Sequence, residues 1–203
     1  MKKFFVAGVA SLIGLNAANA GEMKIYDPYI GADFGMGVMT YIDLTADEEK
    51  YTPGAAMMLG FDIGAKFRPL DSIWNPGVSL GMNASFPVEP EKWPTKQKPS
   101  YSFYTWGADF DNYFAIANRN KADSRTDLIA GIGYHSVTTS YTGGGLGSGS
   151  DTDMALAFKF GIDQGLSDDM KLNAKMQIFA LPGSKKGEQD MFFKISIGFK
   201  MMF

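Results

Sequence analysis

Met191-Phe-Phe-Lys-Ile-Ser-Ile-Gly-Phe-Lys-Met-Met-Phe203 is the stretch of sequence that decides the fold. Every second residue in it is apolar, and lysine, serine and glycine fill most of the positions between. Because side chains alternate faces along a β-strand, the segment has one apolar face and one small or cationic face. A transmembrane β-strand needs about 9–11 tilted residues to cross the hydrocarbon layer. The segment therefore has both the length and the pattern of a membrane-spanning strand.

The same alternation returns in seven earlier segments that are separated by turn-rich stretches. Their apolar phases occupy residues 30–42, 55–67, 78–86, 104–114, 128–134, 154–162 and 170–180. None of these apolar-phase positions carries a charge, whereas the opposite phase holds many glycines and nearly all the strand charges. Alternating segments bounded by turn residues are typical of membrane β-barrels. The sequence therefore predicts an all-β fold, an eight-stranded antiparallel up-and-down transmembrane β-barrel.

The direction of the apolar face distinguishes a membrane barrel from a soluble one. A soluble lipocalin-like barrel would place the apolar phase inside and the polar phase in water. An eight-stranded barrel is only just wide enough inside for side chains to fill it, so the Phe, Met, Leu and Ile of the apolar phase would overfill it. A Lys or Arg at mid-depth on a lipid-facing surface costs about 2–4 kcal/mol, which explains the missing charges. We therefore expect the apolar phase to face lipid, with glycines and paired ions inside.

The N-terminus has the pattern of a cleaved secretory signal peptide. Lys2 and Lys3 precede an apolar stretch too short for a stable membrane helix, and small residues mark a cleavage site between Ala20 and Gly21. We expect residues 1–20 to be removed and residues 21–203 to form one outer-membrane β-barrel domain. The whole chain has 19 Lys and Arg against 22 Asp and Glu, a balance that gives no reason to expect nucleic acid as a partner. It contains no cysteine, so disulfides do not stabilise it.

These features together resemble a known family. The signal peptide, the eight amphipathic strands and the final Phe203 are similar to those of the small eight-stranded outer-membrane β-barrels, such as the OmpA transmembrane domain, OmpX and the opacity-type porin-like proteins. Met201 stands where that family usually has Tyr. The resemblance implies a monomer in the bacterial outer membrane, in contact with outer-membrane lipids and lipopolysaccharide. It also implies delivery by periplasmic chaperones and recognition of Phe203 as the signal for the barrel assembly machinery.

Charged residues of the inward phase are predicted to form an ionic network in the lumen. Acids and bases balance in that phase, and charges in a narrow interior are tolerated only when they are paired and hydrogen-bonded. We expect a central cluster of Asp33, Lys194 and Asp62, because strand eight closes against strand one. The predicted network comprises Asp33, Asp62, Lys66, Lys159, Asp163, Lys175 and Lys194.

His135 is the only histidine and would be the natural general base of an enzyme. It lies toward the outer end of strand five, where Asp153 across the hairpin is expected to pair with it. Ser136 points to the opposite face, so a Ser-His-Asp arrangement would need another serine, such as Ser140. Neither geometry nor spacing supports such a triad, and we predict no catalytic residue, no metal ligand and no cofactor site.

The outer loops are the predicted places for contact with a host or surface ligand. With the N-terminus on the periplasmic side, these loops span residues 43–53, 87–100, 138–152 and 182–190. Four prolines stiffen residues 87–99, and Trp93 between lysines is the candidate contact residue. The glycine-rich stretch 142–150 is predicted to be a flexible tether.

Aromatic residues are expected to anchor the barrel at the two membrane interfaces. The predicted belts contain Tyr104, Trp106 and Tyr134 near the outer edge, and Tyr26, Tyr29 and Phe67 near the inner edge.

The predicted function is that of a non-enzymatic outer-membrane protein with a structural or surface-interaction role and a largely plugged lumen. A narrow porin-like channel for small solutes is the alternative. A lipid A-modifying outer-membrane enzyme is a more distant one.

Overall fold

Eight antiparallel strands close into one barrel. The computed structural model describes residues 26–42, 54–67, 73–90, 97–119, 121, 123–143, 148–182 and 189–203. Each strand pairs with its neighbour in the sequence, and β8 pairs with β1 to close the barrel. The predicted eight-stranded up-and-down fold is therefore confirmed. The strands are β1 Tyr26–Ile42, β2 Ala56–Phe67, β3 Trp74–Ser85, β4 Pro99–Ala117, β5 Thr126–Gly143, β6 Ser148–Gly165, β7 Met170–Pro182 and β8 Gln189–Met202.

The apolar phase of every strand faces outward. Phe61 is 58% exposed and Ile195 is 64% exposed, whereas the inward Lys194 is 1% exposed. The predicted orientation is confirmed, and the lipocalin-like arrangement with the apolar phase inside is excluded. Among the residues that the structure describes, no helix has the length and apolar character needed to cross a bilayer.

The two ends of the barrel differ. Tyr26 and Phe203 lie together at one end, which we call the terminal end, and the opposite end is called the loop end. At the terminal end, the backbone N–H of Phe203 donates to the carbonyl of Pro28 at 3.0 Å. Its ring remains 49% exposed.

Three adjacent strands are longer than the others. β4 has 19 residues, and β5 and β6 have 18 each, whereas β2 and β3 have 12. β4 and β5 remain paired to Pro99 and Gly143, while β3 pairs with β4 only as far as Tyr104. β6 and β7 likewise pair only as far as Leu156. A three-stranded sheet, which we call the extension, therefore stands above the rim at the loop end.

The extension corrects one prediction. Residues 138–152 are predicted to form a loop, but Thr138 to Thr142 pair in register with Ser148 to Thr152. The centre of the predicted flexible tether, residues 144–147, lies outside the described residues. Gly143 ends β5 with φ 83°, a conformation that glycine adopts freely. The alternation of apolar and polar residues stops at the rim because the extension does not need an apolar outer face. Backbone pairing and hydroxyl-bearing side chains suited to strands nevertheless continue.

Several predicted features lie outside the described residues. These are the signal peptide with its cleavage site at Ala20 and Gly21, the loop at residues 43–53, and Trp93.

Candidate functional site in the barrel lumen

The loop-end half of the lumen is filled by apolar side chains. Phe103, Phe179 and Phe192 stack in sequence, with ring centroids 5.3 and 5.4 Å apart. Met58 lies among them and, like Phe179 and Phe192, is 0% exposed. We call this group the apolar plug; its described members are Met39, Ala56, Met58, Phe103, Val137, Ala155, Ala157, Phe179, Leu181 and Phe192.

Charged side chains fill the rest of the lumen. As many Asp carboxylates as Lys and Arg side chains are buried there, so the described interior is balanced when its single histidine is neutral. Burying a charge in so narrow a space is tolerable only with a partner at hydrogen-bond distance. The acids are Asp27, Asp33, Asp62, Asp109, Asp111, Asp127 and Asp163, and the bases are Lys66, Arg125, Lys159, Lys171, Lys175, Lys194 and Lys200.

The predicted central cluster exists with a different lysine at its centre. Lys175 Nζ lies 3.0 Å from Asp33 Oδ2 and 3.3 Å from Asp62 Oδ1, so Lys175 joins the two carboxylates. Lys194 contacts Asp33 and the side-chain oxygen of Asn83. Lys194 therefore belongs to the predicted cluster through Asp33, and Lys175 connects Asp33 to Asp62. Lys194 aligns with Gly37 in the β1–β8 register, closer to the loop end than Asp33.

Lys159 holds a second cluster toward the apolar plug. Its Nζ lies 2.8 Å from Asp109 Oδ2 and 3.1 Å from Asp111 Oδ1. Ser79 donates its hydroxyl to Asp111 at 3.1 Å. His135 completes the group, with Nε2 at 2.9 Å from Asp109 Oδ1.

The position of His135 corrects its predicted pairing. His135 lies opposite Ala155, not Asp153, and its partner is Asp109 on the neighbouring β4. The imidazole is 0% exposed, and the ring of Phe179 contacts it edge-on at 5.2 Å. A substrate would have to displace the apolar plug to reach this ring, so the geometry gives His135 a packing and hydrogen-bonding role.

Two clusters lie near the terminal end. Asp127 accepts a hydrogen bond from Arg125 Nε at 2.7 Å and also contacts Lys66 and, at 3.5 Å, Lys171. In the other cluster, Lys200 Nζ lies 2.8 Å from Asp163 Oδ2, and Asp163 is the cross-strand neighbour of Asp127.

Two tyrosines link these terminal clusters. Tyr29 Oη and Tyr113 Oη are 3.4 Å apart. Lys66 Nζ lies over the Tyr113 ring at 4.6 Å, and Lys200 Nζ lies over the Tyr29 ring at 4.8 Å. Such contacts stabilise an ammonium group that has left water. Tyr29 was expected in the inner aromatic belt, but it is buried in the lumen, where it contributes to the ionic network.

Glycines on the inward phase make room for the ions. A Cβ at Gly60 would lie 2.5 Å from Asp33 Oδ1, and one at Gly133 would lie 2.1 Å from Asp109 Oδ1. Each carboxylate therefore occupies the space above a glycine of the next strand. This packing explains why glycine and aspartate share the inward phase.

The structure distributes the seven predicted network residues over four clusters. Asp33, Asp62, Lys175 and Lys194 come together, whereas Lys159, Lys66 and Asp163 belong to separate clusters. Within the described part of the chain, no group of three or more His, Asp or Glu side chains is arranged to hold a metal ion. In the described part of the barrel, the charged side chains that face the lumen are buried from water, an arrangement suited to stabilising the barrel.

Sequence reasoning missed the uncharged part of the network and the whole apolar plug. Asn83, Ser79 and Tyr113 all lie on the inward phase of their strands, as do Phe103 and Phe192. The period of two identifies each as inward. These residues were missed because only glycines and paired ions were expected to fill the lumen.

Comparison with known proteins identifies the fold. No protein-family model matches the sequence, and comparison with curated proteins gives no significant match. Among solved structures, Neisserial surface protein A (NspA) aligns with a TM-score of 0.55 at 17% identity, over 87% of this chain and 97% of that chain. The outer membrane protein OprG from Pseudomonas aeruginosa aligns with a TM-score of 0.53 at 14% identity, over 87% and 96%. The outer membrane enzyme PagL is more distant, with a TM-score of 0.48 and 12% identity over 85% and 98%.

At these identities the likeness establishes the fold and leaves the function open. The predicted resemblance to small eight-stranded outer-membrane β-barrels is therefore confirmed at the level of architecture.

Proposed function

We propose that this chain is a bacterial outer-membrane β-barrel protein with a plugged lumen and a structural and surface-contact role. The observation that carries the proposal is the pairing of an apolar outer surface with a lumen that is closed to water. We further propose that the protein is exported through a cleaved signal peptide and works as a monomer without catalytic activity.

The outer surface supports placement in a membrane. Large apolar side chains cover the barrel wall on every strand, and a surface of that kind is found on proteins that contact acyl chains. Tyr104, Trp106 and Tyr134 lie on this surface toward the loop end and are exposed, as aromatic residues at a membrane interface are. We propose that the loop end, which carries the extension, faces the cell exterior, because the extracellular connections of such barrels are usually the longer ones.

The filled lumen favours a structural role over a channel. A conducting path needs water along the axis, and the apolar plug occupies the loop-end half of that axis. Toward the terminal end the ions are bound to one another, so a passing solute would have to separate buried pairs. The narrow porin-like channel has no comparable observation in its favour.

We expect the purified protein to show no steady conductance in a planar lipid bilayer. The measurement is single-channel recording after insertion, and insertion is verified by the altered mobility of the unboiled protein on a detergent gel. A matched variant, Phe179→Ala with Phe192→Ala, opens the apolar plug and is expected to produce brief current events. A stable open level in the wild-type protein would overturn the plugged lumen, and unaltered gel mobility would overturn the membrane barrel.

Partners follow from this placement. We propose that the barrel contacts outer-membrane lipids and lipopolysaccharide through its wall, and a host or surface ligand through the loops that include Trp93. We also propose that periplasmic chaperones deliver the unfolded chain and that the assembly machinery reads Phe203. In the folded barrel Phe203 is 49% exposed, and its backbone N–H donates to the carbonyl of Pro28 at the terminal end.

A further inference from the structure

The outward face of the extension carries a regular array of hydroxyl groups. Cross-strand register places its residues in two rows of three, each row crossing β4, β5 and β6. All six side chains are partly or fully exposed. We call this surface the hydroxyl face; its rows are Ser100–Thr142–Ser148 and Ser102–Ser140–Ser150.

The hydroxyl face continues the lipid-facing surface of the wall. On β4 the outward residues toward the loop end are Trp106, Tyr104, Ser102 and Ser100, so aromatic side chains give way to hydroxyls in one step. The same change occurs on β6 after Met154. The boundary row below the face contains Thr138 and Thr152, whose hydroxyls are 2.9 Å apart.

This continuity determines what lies beside the face. It points sideways, away from the barrel axis, and it begins directly above exposed aromatic rings at the level of a membrane interface. The molecules next to such a surface are the head groups of lipids in the outer leaflet.

The chemistry of the face matches neutral sugar. A hydroxyl both donates and accepts, as sugar hydroxyls do. Among the described residues, none of the outward positions in these rows is charged, whereas recognition of phosphate relies on Arg and Lys. The opposite side of the extension differs, since it carries Tyr141 and Asp151. A peptide adding a strand would bind an edge of the sheet and leave this face unused.

We infer that the hydroxyl face binds the neutral core sugars of the glycolipid in the surrounding outer leaflet. The rows are about 7 Å apart along the strands and their members about 5 Å apart across them, so several sugar hydroxyls are in reach of one molecule. Each such hydrogen bond is weak in water. The barrel cannot leave the leaflet, however, and the high local concentration of glycolipid compensates for weak affinity. This inference rests on the proposed membrane placement.

The test compares unfolding rates in vesicles of three compositions. One contains phospholipid alone, one adds glycolipid with its core oligosaccharide, and one adds the same glycolipid truncated before the neutral core sugars. We expect the wild-type protein to unfold in denaturant about tenfold more slowly with the complete glycolipid than with the truncated one, the ratio that about two net hydrogen bonds give.

Variants test which residues produce the tenfold difference in unfolding rate. Ser102→Ala with Ser140→Ala and Ser150→Ala removes the middle row and is expected to abolish the tenfold difference. The matched control is Thr139→Val, on the opposite face of the same strand, which is expected to keep it. If the triple variant does not fold, Ser100→Ala with Thr142→Val, in the other row of the hydroxyl face, is expected to reduce the difference.

Three outcomes would overturn the inference. The first is a folded hydroxyl-face variant whose unfolding rates in complete and truncated glycolipid differ as much as those of the wild-type protein. The second is a wild-type protein that unfolds at the same rate with both glycolipids, which would point to recognition of phosphate. The third is full reproduction of the effect by soluble core oligosaccharide added to phospholipid vesicles. Failure of the protein to insert into any vesicle would instead overturn the proposed function, and gel mobility separates these results.

Discussion

Asp127→Asn is expected to lower the free energy of unfolding by about 3–5 kcal/mol, the cost of removing one partner from a buried ion pair. Asp127 is wholly buried and contacts Lys66, Arg125 and Lys171. The amide of Asn fills the same space without the negative charge. Three cations would then face one another across the lumen near the terminal end. The measurement is the denaturant midpoint of the protein in vesicles, followed by gel mobility without boiling.

Two further variants isolate the electrostatic cause. Asp123→Asn changes the same residue type at an exposed position in the nearby turn and is expected to alter stability by less than about 0.5 kcal/mol. Adding Lys171→Met to Asp127→Asn removes one of the stranded cations. We expect the double variant to recover part of the loss, because residues of one ionic cluster are not additive. Equal midpoints for Asp127→Asn and Asp123→Asn would contradict the assigned role of Asp127.

Gly35→Ala is expected to weaken closure of the barrel. Gly35 lies on β1 opposite Ser196 of β8, at the seam where the sheet joins itself. An added Cβ would lie 2.1 Å from the carbonyl oxygen of Ile195 and 2.7 Å from the Cα of Ser196. Because these are backbone atoms, the two strands would have to separate. We expect a loss of about 3 kcal/mol, at the upper end of the usual cost of overpacking.

The control for this prediction is Gly81→Ala. Gly81 also faces inward on a strand, but the nearest atom to an added Cβ is 3.8 Å away. The free energy of unfolding of the Gly81→Ala variant is expected to stay the same or to rise by about 0.5 kcal/mol, since alanine has less conformational freedom than glycine in the unfolded chain. Both proteins are compared by the fraction that reaches the folded gel band and by the denaturant midpoint. Similar folded fractions and midpoints for the two variants would show that β1 and β8 can move apart at the seam without loss of stability.

Alternation along the chain was enough to predict which side of the wall each residue occupies. Lys194 and Ile195 point in opposite directions because successive side chains of a strand must do so. Eight repeats of the pattern then gave the number of strands. These properties are local, and they do not depend on the register between neighbouring strands.

The partners of the inward residues depend on the register between neighbouring strands. Alternation along a single strand carries no information about that register. Strand stagger sets the depth of each residue in a tilted barrel. Lys194 and Lys175 both point inward on neighbouring strands, but Lys175 lies opposite Ser196 and Lys194 opposite Gln177. Only this register shows that Lys175 bridges Asp33 and Asp62. The extension was missed for a different reason, because serine and threonine above the lipid give no alternation between apolar and polar.

Many ion pairs of the lumen join strands that are not neighbours, although Lys194 and Asp33 lie on the adjacent β8 and β1. Lys66 of β2 reaches Asp127 of β5, Lys159 of β6 reaches Asp111 of β4, and Lys200 of β8 reaches Asp163 of β6. A single hairpin inserted alone would carry these charges into hydrocarbon without their partners. Assembly should therefore be a concerted event in which all the strands enter the bilayer together. A transplanted pair of strands would not form an autonomous unit.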